Sequence, residues 1–445
     1  MINPFRNVFF TSRMYFSLAG AVFLFLVGFI LPFVFFLAKW IIIFFLLTVA
    51  LDLALLFAHR TGIRAKRNMV HRFSMGDPNK VSIVIDNYYS FEITVLAIDE
   101  IPEQFQIRTL QHILTISGGM TSSCSYDLIP FERGEFLFGK INVFVRNSRL
   151  GFAERLISIP CQTEVAVFPS FQQMKKYELI AFSNQITDSG IRRYRKIGHS
   201  FEFEQVKEYV KGDDFRTINW KATARMQHLM VNQFQEEKAQ QVYCILDMGR
   251  SMKMPFNSMS LLDHSINSSL AISNIILKKN DKSGVAAFTN STVSFLSADR
   301  KSDQLSRIIE MLYRQKTNFL ESNFENLYLN IRNKIKQRSL IFLFTNFESK
   351  VSANRQIPFF RKIASQHLLI VIFFENSELK ETVKKPVNEL KGIYKKAIAE
   401  NFILSKRLIV KELEINGISS ILTTPENLTI NTVNKYIELK SRGII

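Results

Sequence analysis

Asp247 and Ser251 carry the oxygen atoms best placed to do chemistry in this 445-residue chain. A run of mostly apolar residues, 242–246, leads into Asp247, and a short turn through Gly249 follows. Beyond the turn, 261–279 carries Leu262, Ile266, Leu270, Ile272, Ile275 and Ile276 at helical spacing. That pattern predicts a buried strand, a tight turn and a returning helix, the first unit of a parallel α/β sheet. Open α/β sheets hold ligands at the carboxyl ends of their strands. Hard oxygen ligands at such a rim suit Mg²⁺.

Other chemistries have weaker support. The seven histidines (His59, His71, His112, His199, His228, His264 and His367) show no ligand spacing, and there is no HExxH or nucleophile elbow. The stretch 134–141 matches a phosphate-binding loop except at its last position, where Ile141 replaces Ser or Thr. Phe136 and Phe138 favour an extended, packed conformation there, so the match is read as a strand. The three cysteines, Cys124, Cys161 and Cys244, are far apart and form no CxxC pair, which fits buried thiols in a reducing compartment. No enzyme is expected; the alternatives are a metal-dependent hydrolase and a lipid-facing structural protein.

The elements that must position the rim follow from the same periodicities. Strands are predicted at 242–247, 284–288, 340–345, 368–374 and 417–422, alternating with helices at 261–279, 303–313, 323–336, 353–365, 383–410 (broken) and 428–440. This rhythm predicts a doubly wound sheet with helices on both faces over 241–445. Upstream, 79–170 holds short alternating β-rich runs separated by turn residues, an antiparallel sandwich. Between them, 171–240 is a connector.

The first 58 residues are two apolar segments, read as transmembrane helices over 15–38 and 40–58, with the exit at Lys39-Trp40 or at Pro32. No small-x-small cleavage site follows the first, so a signal peptide is disfavoured. Arg6 and Arg13 precede the pair, and Arg60, Arg64, Lys66, Arg67 and Arg72 follow it; only Lys39 lies between. The positive-inside rule then places both ends, and the soluble body, in the cytoplasm. Residues 59–78 read as a basic juxtamembrane linker for lipid headgroups. Asp52 lies within the second helix, where a carboxylate suggests a functional role or a pairing with the other helix or a partner subunit. The net charge of +18 comes in scattered runs without aromatic interleaving, so no nucleic-acid partner is expected.

The connector holds a dense polar and aromatic series: Glu208-Tyr209, Gly212-Asp213-Asp214, Arg216, Ile218-Asn219-Trp220 and Ala224-Arg225. Gly212 suits a sharp turn, Asp213 or Asp214 a helix cap, and Arg216 and Trp220, four apart, a stacked pair on one helix face. Together with Arg133-Gly134, Gly139, Leu150-Gly151, Val167-Phe168-Pro169 and the paired amino-terminal helices, this series resembles the membrane-anchored bacterial proteins grouped as domain of unknown function fifty-eight. The resemblance implies a von Willebrand factor A-like domain, a place in the bacterial cytoplasmic (inner) membrane, and work beside a MoxR-type AAA+ ATPase in assembly or maturation of protein complexes. In metal-binding von Willebrand A domains the first strand ends in Asp-x-Ser-x-Ser, with a later threonine and a second aspartate. Asp247 and Ser251 match; Gly249 replaces the middle serine, Thr317 is the candidate threonine, and Asn346 replaces the aspartate. The expected Mg²⁺ site is therefore degenerate.

Overall fold

The computed structural model describes residues 7–59, 62–107, 110–182, 201–211, 213–236, 239–291, 293–317, 319–384 and 390–444. Arg6, Arg60, His199 and Gly212 lie outside the described residues. The chain divides into two compact units, Met1–Phe168 and Pro169–Ile445.

The first unit begins with a strand, Val8–Phe10, then two helices, Ser12–Ile30 and Pro32–Ala58, each long and apolar enough to cross a membrane. The turn is at Leu31, and Pro32 opens the second helix. Pro is suited to that first position because the missing N–H has no partner there in any helix. Lys39 instead continues the helix with its ammonium over the Phe35 ring. Gly28 lets the two helices approach closely, since a Cβ there would sit 2.8 Å from Phe35 Cα.

Three sheets follow. Val8–Phe10, Ala153–Ile159, Ile141–Asn147, Ile93–Asp99 and Gln111–Ile116 form a five-stranded antiparallel sheet in that order. Ile63–Asn68, Asn79–Asn87 and Thr121–Leu128 form a second sheet; Arg72–Ser74, Thr163–Phe168 and Gly134–Phe138 form a third. Alternate residues fill the core, among them Val81, Ile83, Ile85, Val95, Val143 and Val145. The stretch that resembles a phosphate loop is a strand, and Gly139 N–H donates to the Glu100 carbonyl.

Two expectations change here. Residues expected to form a basic linker belong to the sheets: Ile63–Asn68 points Arg64 and Lys66 outward but Ala65 and Arg67 inward. Asp52 does not pair with the other helix. Its Oδ2 accepts the backbone N–H groups of Phe152 (2.9 Å) and Ala153 (3.1 Å), where the strand Ala153–Ile159 begins. The twenty residues before it in the helix already cover about 30 Å, the hydrocarbon thickness. One turn on, Arg155 donates to the carbonyls of Leu56 and His59 (2.7 Å each), and Tyr89 O–H donates to Leu56 (2.9 Å). Open carbonyls at a helix end favour such cationic and hydroxyl donors.

In the second unit the central sheet has six strands in the order Val293–Asp299, Lys282–Phe288, Gln241–Asp247, Leu340–Phe344, Leu368–Phe374 and Ser419–Thr423. All pairs are parallel except that of Val293–Asp299, an edge strand outside the expected set. One face packs on the helices Leu261–Lys278 and Leu428–Ser441, the other on Phe324–Lys334 and Lys350–Ala364. The expected broken helix is two helices, Ser377–Lys384 and Leu390–Ile415. Gln241–Asp247 lies between strands that wind in opposite directions, so Asp247 ends at the topological switch point.

Candidate functional site

Asp247 is 2 % exposed, closed in by the chain around it. Its Oδ1 accepts the Gly249 N–H (2.8 Å) and the Ser322 hydroxyl, and its Oδ2 accepts the Thr345 hydroxyl (2.6 Å). Burial raises its carboxyl pKa above the usual range, and these three donors oppose the rise. Gly249 is where a metal-binding pattern has serine, and a Cβ built there overlaps Ser322 Oγ. The hydroxyl missing at 249 is thus supplied by Ser322, 75 residues beyond Asp247.

A shallow cleft of about 100 Å³ opens over this point, lined by Ser251, Ser322, Asn346, Arg250 and Arg355 among others. Thr317 does not line it; Ser322 and Thr345 are the hydroxyls brought to Asp247. The Ser251 carbonyl accepts from Asn346 Nδ2 (3.4 Å), while the cap of the following helix is Ser260, in a reciprocal pair with Asp263. Asn346 Oδ1 accepts the Lys406 ammonium (2.7 Å), which also donates to the Phe347 carbonyl (2.5 Å). No group of three His, Cys, Asp or Glu side chains with metal-ligand spacing exists among the described residues. Glu321 and Glu348 also line the cleft, but Glu348 is paired with Arg250 (3.6 Å). A divalent cation would need to break the bonds of Asp247 and sit beside the guanidinium groups of Arg250 and Arg355. These residues do not fit Mg²⁺ as they are arranged.

Burial pushes the Lys406 pKa down to about 8 from 10.5, while the nearby charges of Glu348 and Glu375 resist the fall. Between these two values the unfolded chain holds a proton that the folded chain has released. Stability therefore rises with pH across that window. The effect is on the order of 3 kcal/mol. Lys406→Met lacks it: wild type is expected to gain on the variant by that amount between pH 7.5 and about 10.5 in denaturant unfolding, within the range a full titration allows. A gap that does not change with pH would show that the ammonium is not buried.

The connector series forms one small body. Strands Phe201–Glu208 and Met230–Glu236 pair antiparallel, and the series joins them. Asp214 caps the turn Phe215–Thr217 by accepting Arg216 N–H (3.0 Å); Asn219 caps the helix Trp220–Met226 by accepting Ala222 N–H (3.0 Å). Asp213 accepts Val210 N–H (3.0 Å) and the Lys207 ammonium (2.9 Å), and Thr223 Oγ accepts Met230 N–H (3.0 Å). Glu208 and Arg225 are exposed, and Tyr209 N–H donates to the Leu229 carbonyl (2.8 Å). The expected stack of Arg216 on Trp220 is absent, because the two lie in separate short helices; Arg216 lies over the Phe215 ring. With the polar residues turned to local bonds, Phe215 (69 %) and Trp220 (71 %) stand exposed, as do Val210, Met226 and Leu229.

Residues 205–381 match the family described as "Protein of unknown function DUF58". The "Uncharacterized protein YeaD" of Bacillus subtilis (strain 168) is 26 % identical over 129 residues, 28 % of this chain and 30 % of that protein, so the match spans under a third of the relative. Among solved structures, the CARDB domain of the PF1109 protein from Pyrococcus furiosus is 8 % identical, with a TM-score of 0.17 over 24 % of this chain and 93 % of that one. The ASH/PapD-like domain of human CEP192 is 8 % identical, with a TM-score of 0.18 over 25 % and 87 %. At these TM-scores neither likeness bears on fold or function.

Proposed function

We propose that this protein is a membrane-anchored docking protein, not an enzyme, whose connector face binds another protein. The observation that carries the reading is the exposure of Val210, Phe215, Trp220, Met226 and Leu229 within one short segment whose turns and caps are bonded locally. Exposed aromatic side chains on a pre-organised support are the usual anchors of protein interfaces. Exposed Lys211, Arg216, Lys221 and Arg225 border them and suit an acidic partner surface.

The strand order of the α/β unit and the family match support a von Willebrand A-like reading of that unit. The resemblance carried by the connector series suggests a MoxR-type AAA+ ATPase as partner, in assembly or maturation of protein complexes. The rim at Asp247 works in this reading without a divalent cation, as a structural joint of the sheet. The helical hairpin holds the body at the cytoplasmic face of a bacterial inner membrane, an orientation favoured by its flanking arginines.

The test uses the full chain in nonionic detergent and a purified MoxR-type ATPase. Phe215→Ala with Trp220→Ala is expected to weaken binding about thirtyfold or more, the loss of one hot-spot residue at least. Chelation with EDTA, in the absence of nucleotide, is expected to leave it unchanged. Equal binding by the folded double variant, or loss on chelation, would overturn the reading.

A further inference from the structure

A second cavity adjoins the cleft over Asp247, sharing Asn346, Phe347 and Glu348 with it, and has no connector residue in its wall. It measures about 570 Å³ and is walled by Met254, Phe256, Phe374, Leu379, Ile398 and Phe402, under the helix Leu390–Ile415. That volume is typical of sites for small molecules, as is a largely apolar wall with few polar groups. The polar groups converge at one end, where Asn346, Glu348, Glu375 and Lys406 meet, and Lys395 lines the wall as well.

Charge at that end is unbalanced. Glu375 is paired with Lys380 (2.7 Å) and Glu348 with Arg250 (3.6 Å). The Lys406 ammonium, by contrast, spends two of its three donors on neutral oxygens, Asn346 Oδ1 and the Phe347 carbonyl. A desolvated ammonium whose direct contacts are neutral oxygens is unfavourable and is relieved by an anion at the third donor. An anion alone would leave the apolar walls facing water, and a plain hydrocarbon would leave the ammonium unpaired.

We propose that this cavity binds a single-chain amphiphile whose anionic head, a carboxylate or a phosphate, pairs with Lys406 Nζ while its hydrocarbon tail lies along Phe374, Leu379 and Phe402. Fatty acids and alkyl phosphates share that chemistry, and the size of the head decides between them.

The experiment is native mass spectrometry of the full chain, released from nonionic detergent after incubation with dodecanoate, dodecyl phosphate or dodecanol. Wild type is expected to carry a single equivalent of one of the anions and to take up dodecanol about tenfold less or weaker still. The preferred anion identifies the source. Lys406→Met, checked for folding by its circular dichroism, is expected to lose about tenfold in anion uptake or more, and Lys406→Arg to retain it. Ile398→Trp, at a half-exposed position on the wall, fills the space without touching the ammonium and is expected to block uptake. Should Lys406→Met fail to fold, Ile398→Trp and the dodecanol comparison decide. Equal uptake of dodecanol and dodecanoate, full uptake by folded Lys406→Met or by Ile398→Trp, or no uptake of either anion by wild type would overturn the proposal.

Discussion

Replacing Asp99 by alanine is expected to cost the amino-terminal unit about 4 kcal/mol, a thousandfold in its opening equilibrium. Asp99 and Arg67 form an ion pair with both side chains fully buried. Arg67 Nε donates to Asp99 Oδ2 (3.0 Å), Nη2 donates to Oδ1, and the Tyr126 hydroxyl donates to Oδ2. The guanidinium also reaches the carbonyls of Cys161 (2.6 Å) and Gly139 (3.2 Å), so one side chain ties strands of two sheets to the loops that flank strands of the third. Burial and the Asp99 charge push the Tyr126 hydroxyl pKa up, keeping it a donor. Without Asp99 a charged guanidinium remains in the core with only neutral acceptors. The double variant Arg67→Met with Asp99→Leu removes both charges and is expected to recover most of the loss. Hydrogen exchange of the strands Ile63–Asn68 and Ile93–Asp99 in the full chain reads both effects. Unchanged protection in Asp99→Ala would mean that the pair is solvated.

Asp247→Ala is expected to cost the second unit about 3 kcal/mol, because three donors lose their acceptor at once around a buried carboxylate. Asp247→Asn keeps the shape and one acceptor oxygen, so its cost is expected to be about half as large. The exchange of amides at 248–251 and 345–347 should rise in both variants. Partner binding by the connector face should persist in Asp247→Asn, since this carboxylate serves the sheet. Loss of binding by a folded Asp247→Asn protein with unchanged exchange would make the rim a contact surface instead.

Much of the α/β unit was legible in the sequence because its strands are continuous apolar runs and its helices keep a clear period. The strand Val293–Asp299 was not, since it runs antiparallel at the edge and is only half buried. The hairpin turn at Leu31 was ambiguous because both sides are apolar, and the single charge at Lys39 pointed elsewhere. At the rim, Asp247 and Ser251 were legible from their place after an apolar strand. Ser322 was not: it is five residues beyond Thr317 in a loop whose path no periodicity reveals. The vacant space at Gly249 was its only trace, and that signal needs coordinates. Arg67 was hidden in a basic run, where its alternation with Arg64 and Lys66 was the available clue to an inward side chain. The Arg216–Trp220 pair failed because Ile218 ends one short helix before Asn219 begins the next.

The central claim is that the connector face, and not the rim, meets the partner. Site-specific photocrosslinking tests it most directly, with p-benzoylphenylalanine placed in turn at positions 215, 220, 355 and 179 of the full chain in membranes supplied with the ATPase. Residues 215 and 220 lie on the connector face, 355 lines the cleft over Asp247, and 179 is an exposed control. The account predicts ATPase adducts from 215 and 220 and none from 355 or 179. Adducts from 355 with none from 215 or 220 would contradict it.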